Sequence, residues 1–140
     1  MPYIDDDDGI HTLLAHARTI AVVGLSDAPG RDSNRVGRYL LGAGYDVIPV
    51  NPAVREALGL VAAPDLDSLA GRRVDIVDVF RRPEHLPAIV EAALRIGAGA
   101  LWLQYGTRDE RSVRRALDAG LTVAGERCIM VEHARLLGRR

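Results

Sequence analysis

The chain has 140 residues, 48% hydrophobic and 26% charged, proportions that suit one globular domain with a single core. A net charge of −1 supplies no basic field for nucleic acid, and no apolar run reaches the roughly 20 residues of a membrane helix. All 18 basic residues are arginine, which excludes a Walker-A lysine, a Schiff-base lysine and a lysine general base.

The N-terminal MPYIDDDDGI is acidic and carries no apolar signal region, and the single cysteine, Cys128, has no partner for an internal disulfide. A cytoplasmic protein is the expectation. Within residues 1–18, DGIHTLLAHAR predicts a helix packed on the rest of the chain, with its aspartates where the helix dipole favours negative charge. Asp5 to Asp8 read as the solvated start of that helix rather than a cation site, since consecutive carboxylates cannot all face one ion. TIAVVGL (Thr19–Leu25) reads as a buried strand. SNRVGRYLLGAG reads as a helix with Val36, Tyr39, Leu40 and Ala43 on one side, Ser33 or Asp32 as its cap and glycine as its stop. YDVIPVNP is the next strand, ended by Asn-Pro. REALGLVAAPDLDSLAG links onward, with room for a short strand or a helical turn.

VDIVDVF (Val74–Phe80) is a strand, and RRPEHLPAIVEAALRIGAG a helix with Pro83 in its first turn and Gly97 at its end. ALWLQYG is a strand, TRDERSVRRALDAG a helix capped by Thr107 or Asp109, LTVAGE a strand, and CIMVEHARLLG a closing helix or turn. Tyr39, Trp102 and Tyr105 are assigned to core or interface packing. His85 and His133 are read as surface or capping residues. Strands alternating with helices predict an α/β fold: Rossmann-like, doubly wound, with a mainly parallel five-stranded sheet, helices on both faces and right-handed crossovers. Residues 1–140 are expected to form a single domain, and an exposed apolar face on either terminal helix leaves a homodimer open.

In such a sheet, ligands bind beyond the carboxyl ends of the strands. Gly24 ends the first strand, where a side chain would block a ligand, and the following backbone N–H groups can hold phosphate. Gly24 and Gly30 could equally serve the turn alone; Arg31 and Arg35 put two permanently charged forks beside the helix start. The second strand ends in Asn51-Pro52, without the acid that grips ribose hydroxyls in dinucleotide sites. That absence, with Arg55 nearby, favours a phosphorylated ribose, as in NADP or coenzyme A. The missing G-x-G-x-x-G counts against NADP. Cys128 follows the last strand; it reads first as a small buried hydrophobe, and otherwise as a thiol activated by Arg127 and a helix start.

TIAVVGLSDAPGRDSNRVGRYLLGAGYDVIPVNP, VDIVDVFRRPEHLP, LWLQYG and ERCIMVEHARL resemble the small single-domain CoA-binding protein family. That family is similar to the CoA-binding domain of the succinyl-CoA synthetase α subunit. The resemblance covers nearly the whole chain from Thr19 and implies a Rossmann-like fold with CoA across the strand tips. It implies that Gly24, Leu25, Ser26, Arg31, Ser33 and Arg35 take the CoA phosphates, and that Val50, Asn51 and Pro52 flank the adenosine. Phe80, Arg81, Arg82, Gln104 and Gly106 would line the path of adenine and pantetheine. Synthetases of that kind need a second domain with a phosphorylated histidine and another subunit, for which this chain has no counterpart. The leading expectation is therefore a binder of coenzyme A or an acyl-CoA without evident catalysis: a carrier, sensor or partner module. The alternatives are an NAD(P)-binding redox protein on the same fold, or a CoA-using transferase or ligase component that needs a partner chain.

Overall fold

A computed structural model describes residues 3–138. Strand β1 (Tyr3–Ile4) leads into helix α1 (Asp7–His16), whose first turn is capped by the Asp6 carboxylate accepting from the Gly9 N–H. There follow β2 (Thr19–Val23), α2 (Asp32–Gly42), β3 (Asp46–Val50), the short strands β4 (Glu56–Ala57) and β5 (Leu60–Val61), and β6 (Ile76–Val79). The chain closes with α3 (Leu86–Arg95), β7 (Ala100–Leu103), α4 (Glu110–Asp118), β8 (Thr122–Gly125) and α5 (Ile129–Leu136).

The main sheet runs β1-β8-β7-β6-β2-β3, every pairing parallel. Its strands are β-branched and apolar on both faces, as a sheet covered twice requires. Ala21, Val23, Val77, Val79, Leu101 and Leu103 pack against α3 and α4. The alternate residues Ile20, Val22, Ile76, Ala100 and Trp102 pack against α1, α2 and α5. Strand β2 is followed by β3 on one side and by β6 on the other, so the order reverses between β2 and β6. A crevice opens at that reversal, at the carboxyl ends of the two strands.

The sheet has six strands where periodicity predicts five. The sixth, β1, is two residues long and pairs through Tyr3↔Val123 and Ile4↔Ala124, too short for alternation to register. The linking region forms a separate antiparallel hairpin, β4–β5, and a 3-10 turn at Leu66–Leu69 capped by Asp65. The hairpin reverses through Leu58 and Gly59, both left-handed at φ 58° and 76°, the backbone of a tight two-residue turn. Leucine is tolerated there because its side chain fills the space left by Gly37 of α2, where a Cβ would stand 2.8 Å from Leu58 Cδ1.

Several local expectations change. The residue capping α2 is Arg31, with no side-chain bond; Asp32 and Ser33 lie inside the first turn. Ala43 is exposed just past that helix, and Tyr39 is half-buried. Pro83 starts a separate 3-10 turn, Pro83–His85, ahead of α3. Of the two caps weighed for α4, Asp109 is the one that accepts from the Ser112 N–H; the Thr107 hydroxyl donates to the Gln104 carbonyl. Trp102 is fully buried, but Tyr105 lies beyond the strand and is 71% exposed. His133 is half-buried rather than on the surface: it bonds the Tyr39 hydroxyl at 2.9 Å and meets the Tyr39 and Tyr45 rings edge-on.

Candidate functional site

At the β2/β6 crevice the two strand tips are nearly in contact. Gly24 donates to the Val50 carbonyl at 2.8 Å, and Phe80 donates to the Val23 carbonyl at 2.9 Å. Gly24 has φ 91°, and a Cβ there would lie 2.9 Å from both Arg81 Cδ and the Phe80 carbonyl oxygen. Glycine is thus required by the fold, and what it admits is the Arg81 side chain, which lies across the tip. Gly30, in contrast, has neither a positive φ nor a neighbour within 4 Å.

The loop after β2 is folded by its own polar side chains. The Ser26 N–H donates to Ser33 Oγ at 3.0 Å, and Asn34 Nδ2 donates to the Ser26 carbonyl at 2.9 Å. Asn51 Nδ2 donates to the Leu25 carbonyl at 3.0 Å, while Asn51 Oδ1 accepts from the Ala53 N–H. Leu25 itself is fully buried. So Leu25, Ser33 and Asn51 shape the loop, and its exposed residues, Asp27 to Asp32, face outward together with the start of α2. That start has no side-chain cap, in contrast to α1 and α4, which have aspartates. Its first-turn N–H groups are left for solvent or an anion.

Two cavities flank the crevice. The one on the α2/α5 side measures about 420 Å³ and is lined by Arg35, Phe80, Arg81, Arg82, Gln104, Gly106 and Cys128 from the expected set. Sequence reading did not assign Val36, Tyr105, Thr107, Met130 or Val131 to this wall. For Tyr105 the signal was available, since it stands one residue past Gln104 at a strand tip. The other cavity, about 280 Å³, lies toward α3 and is bounded by Val50, Pro52, Pro64, Leu66, Ile89 and others, with Arg81 common to both. Gly24, Leu25, Ser26, Arg31, Ser33, Asn51 and Arg55 line neither.

Charge is distributed unevenly over these groups. Arg35 pairs with Asp32 at 2.5 Å and Arg82 with Glu84 at 3.4 Å, all well exposed. Arg81 donates to His85 Nε2 at 3.2 Å. Among the described residues Arg31, Arg55 and Arg81 have no carboxylate partner. Cys128 is half-buried and stands at the N-cap of α5. The chain reaches it through Glu126, a left-handed residue at φ 56° whose carboxylate meets Arg108 at 3.1 Å. The Trp102 indole donates to the Arg127 carbonyl at 2.9 Å, fixing this turn on the sheet. Beneath the site, between Val22 and Trp102, lies Asp78. It is fully buried, neither carboxylate oxygen has a partner among the described residues, and burial pushes its carboxyl well above the usual range. Nothing in the sequence distinguishes this aspartate from an exposed one.

A sequence model of the CoA binding domain matches residues 18–134. The chain is 43% identical over 125 residues to YneT of Bacillus subtilis (strain 168), covering 89% of this chain and 92% of YneT. A hypothetical protein from Pyrococcus horikoshii OT3 superposes with a TM-score of 0.92 at 40% identity, covering 96% of this chain and 94% of the other. The dinucleotide-forming acetyl-coenzyme A synthetase 1 of Ca. Korarchaeum cryptofilum gives a TM-score of 0.65 at 26% identity, over 75% of this chain but 25% of the synthetase. Among the described residues no helix is long and apolar enough to cross a membrane.

Proposed function

We propose, from the premise that this chain belongs to the CoA binding domain family, that it binds coenzyme A or an acyl-CoA across the β2/β6 crevice. Residues 1–140 would act as one domain, a carrier, sensor or partner module without evident catalysis of its own. The observation that carries the reading is the uncapped start of α2 at the strand reversal, with Arg35, Arg81 and Arg82 on the adjoining wall. Backbone N–H groups and guanidinium forks together are donors that suit a pyrophosphate.

The two cavities divide the rest of the ligand by chemistry. The apolar slot of Val50, Pro52, Leu66 and Ile89 suits an adenine ring, with the unpaired Arg55 beyond Asn51-Pro52 for a ribose phosphate. The cavity holding Phe80, Gln104 and Gly106 suits pantetheine, with Cys128 within the same wall. Arg81, shared by both, would lie beside the phosphates between them.

Thermal melting with CoA, acetyl-CoA, NAD, NADP and ATP tests this. CoA at a hundredfold excess over Kd should add about 2.7 kcal/mol to stability. A shift by NADP with none by CoA would overturn the reading.

A further inference from the structure

We propose that the α2/α5 cavity is built for an acyl thioester of coenzyme A rather than the free thiol. The Gln104 amide would donate to the thioester carbonyl, and Tyr105, Met130 and Val131 would receive the acyl chain. This rests on the reading of the site above and narrows its ligand to one class.

Gln104 is 5% exposed. Its Oε1 accepts from the Ile129 backbone N–H at 3.1 Å, which fixes the direction of the amide plane. Among the described residues no acceptor meets Nε2, and Gln104 lines the cavity, whereas the Asp78 oxygens are sealed beneath it. Nε2 is not sealed from solvent as the Asp78 oxygens are, so it is a donor open to the cavity and available to a carbonyl oxygen of the occupant. A thioester has one at the reactive end of the ligand; a free thiol is a weak donor and a weak acceptor.

The apolar mouth points the same way. The large hydrophobic residues exposed among the described ones are Val61, Tyr105 and Val131, and the last two stand at this one cavity. Met130, in the first turn of α5, lines the same wall. Free CoA ends in a thiol and would leave these side chains in water, where apolar surface is unfavourable. A short acyl chain attached to that sulfur continues from the polar cavity onto them. The pantetheine amides are the competing source of a carbonyl for Gln104, but they offer no occupant for the mouth.

Calorimetric titration of the full chain with CoA, acetyl-, butyryl- and hexanoyl-CoA decides the matter. Affinity should rise with acyl length, by up to about fourfold for each methylene covered. Y105S/V131S should lose that gradient, CoA serving as the reference within each protein, and Q104E should narrow the gap between butyryl-CoA and CoA. Equal affinity across the series, or a decline with length, overturns the inference and leaves CoA binding standing. A gradient that survives in Y105S/V131S also overturns it, because the chain would then lie elsewhere. If none of the four binds, the CoA reading of the site fails as well. The wild-type series decides even if a variant fails to fold.

Discussion

Asp78 places a carboxyl in the middle of the sheet, between Val22 and Trp102, with no hydrogen-bond partner among the described residues. Its ionised form would be strongly disfavoured there, so burial raises its pKa well above 3.8. The native state then keeps a proton that the unfolded chain has released. Stability from this group is whole below the unfolded pKa of about 3.9 and is lost as the pH rises toward the folded value. Melting temperatures of the wild type should therefore fall between pH 5 and pH 8 more steeply than those of D78N; parallel curves would refute this. The arginines separate by position. Arg35 stands on the first turn of α2 and lines the cavity, whereas Arg55 lies past the β3 tip. R35A should weaken CoA and dephospho-CoA alike, and R55A should weaken CoA alone, each by ~1.5–3 kcal/mol. Titrating both ligands against both variants checks this, and equal losses in R55A would remove it from the 3′-phosphate. Gly24 shows how a residue is legible in kind but not in cause. The sequence marks a glycine at a strand end, but only the approach of Phe80 and Arg81 shows that the fold itself demands it.

Among the elements, α5 is seated by charge as well as by apolar packing. Glu132, 8% exposed, accepts from Arg127 Nη1 at 3.0 Å and from Arg135 Nη2 at 2.7 Å. Arg135 also pairs with Asp7 of α1 at 2.7 Å. The Arg135 bond, followed by Arg127, holds the Glu132 carboxyl below its usual 4.5 against the opposing effect of burial. A depressed pKa gives stability that is present above the unfolded value and lost as the pH falls through the folded one. E132Q should cost about 1–3 kcal/mol at neutral pH and flatten the acid limb of the pH–stability curve; chemical denaturation at pH 7 and at pH 4 measures both. Because α5 carries Cys128, Met130 and Val131 at its start, a loosened seat would also disturb the cavity. Long elements such as α2 and α3 were legible because a 3.6-residue apolar period extends over several turns. The β4–β5 hairpin and β1 were not. Two-residue strands carry no period, and the Leu58–Gly59 reversal depends on Leu58 packing at Gly37 of α2 as well as on the left-handed Gly59.

At the scale of the molecule, a chain of net charge −1 leaves part of its arginine without a carboxylate. Among the described residues Arg95, Arg108, Arg115, Arg127 and Arg135 are matched to carboxylates, while Arg31, Arg55 and Arg81 near the strand tips are not, nor are Arg18, Arg72, Arg111 and Arg114 elsewhere. Pairing depends on which side chains the fold brings together, so composition reports only the sum. The sequence by itself determined the α/β class, because alternation and helical period are local and repeat along the chain. It determined the crevice too, since strand ends are marked by Gly24, Asn51-Pro52, Arg81 and Gln104. Tertiary structure decided what those residues do. It turned Leu25, Ser33 and Asn51 inward as supports and left the start of α2 uncapped. It also fixed the Gln104 amide on Ile129 and brought Tyr105 and Val131 to one mouth. Such assignments depend on contacts between segments far apart in the chain, and no local pattern encodes which neighbour a side chain will meet.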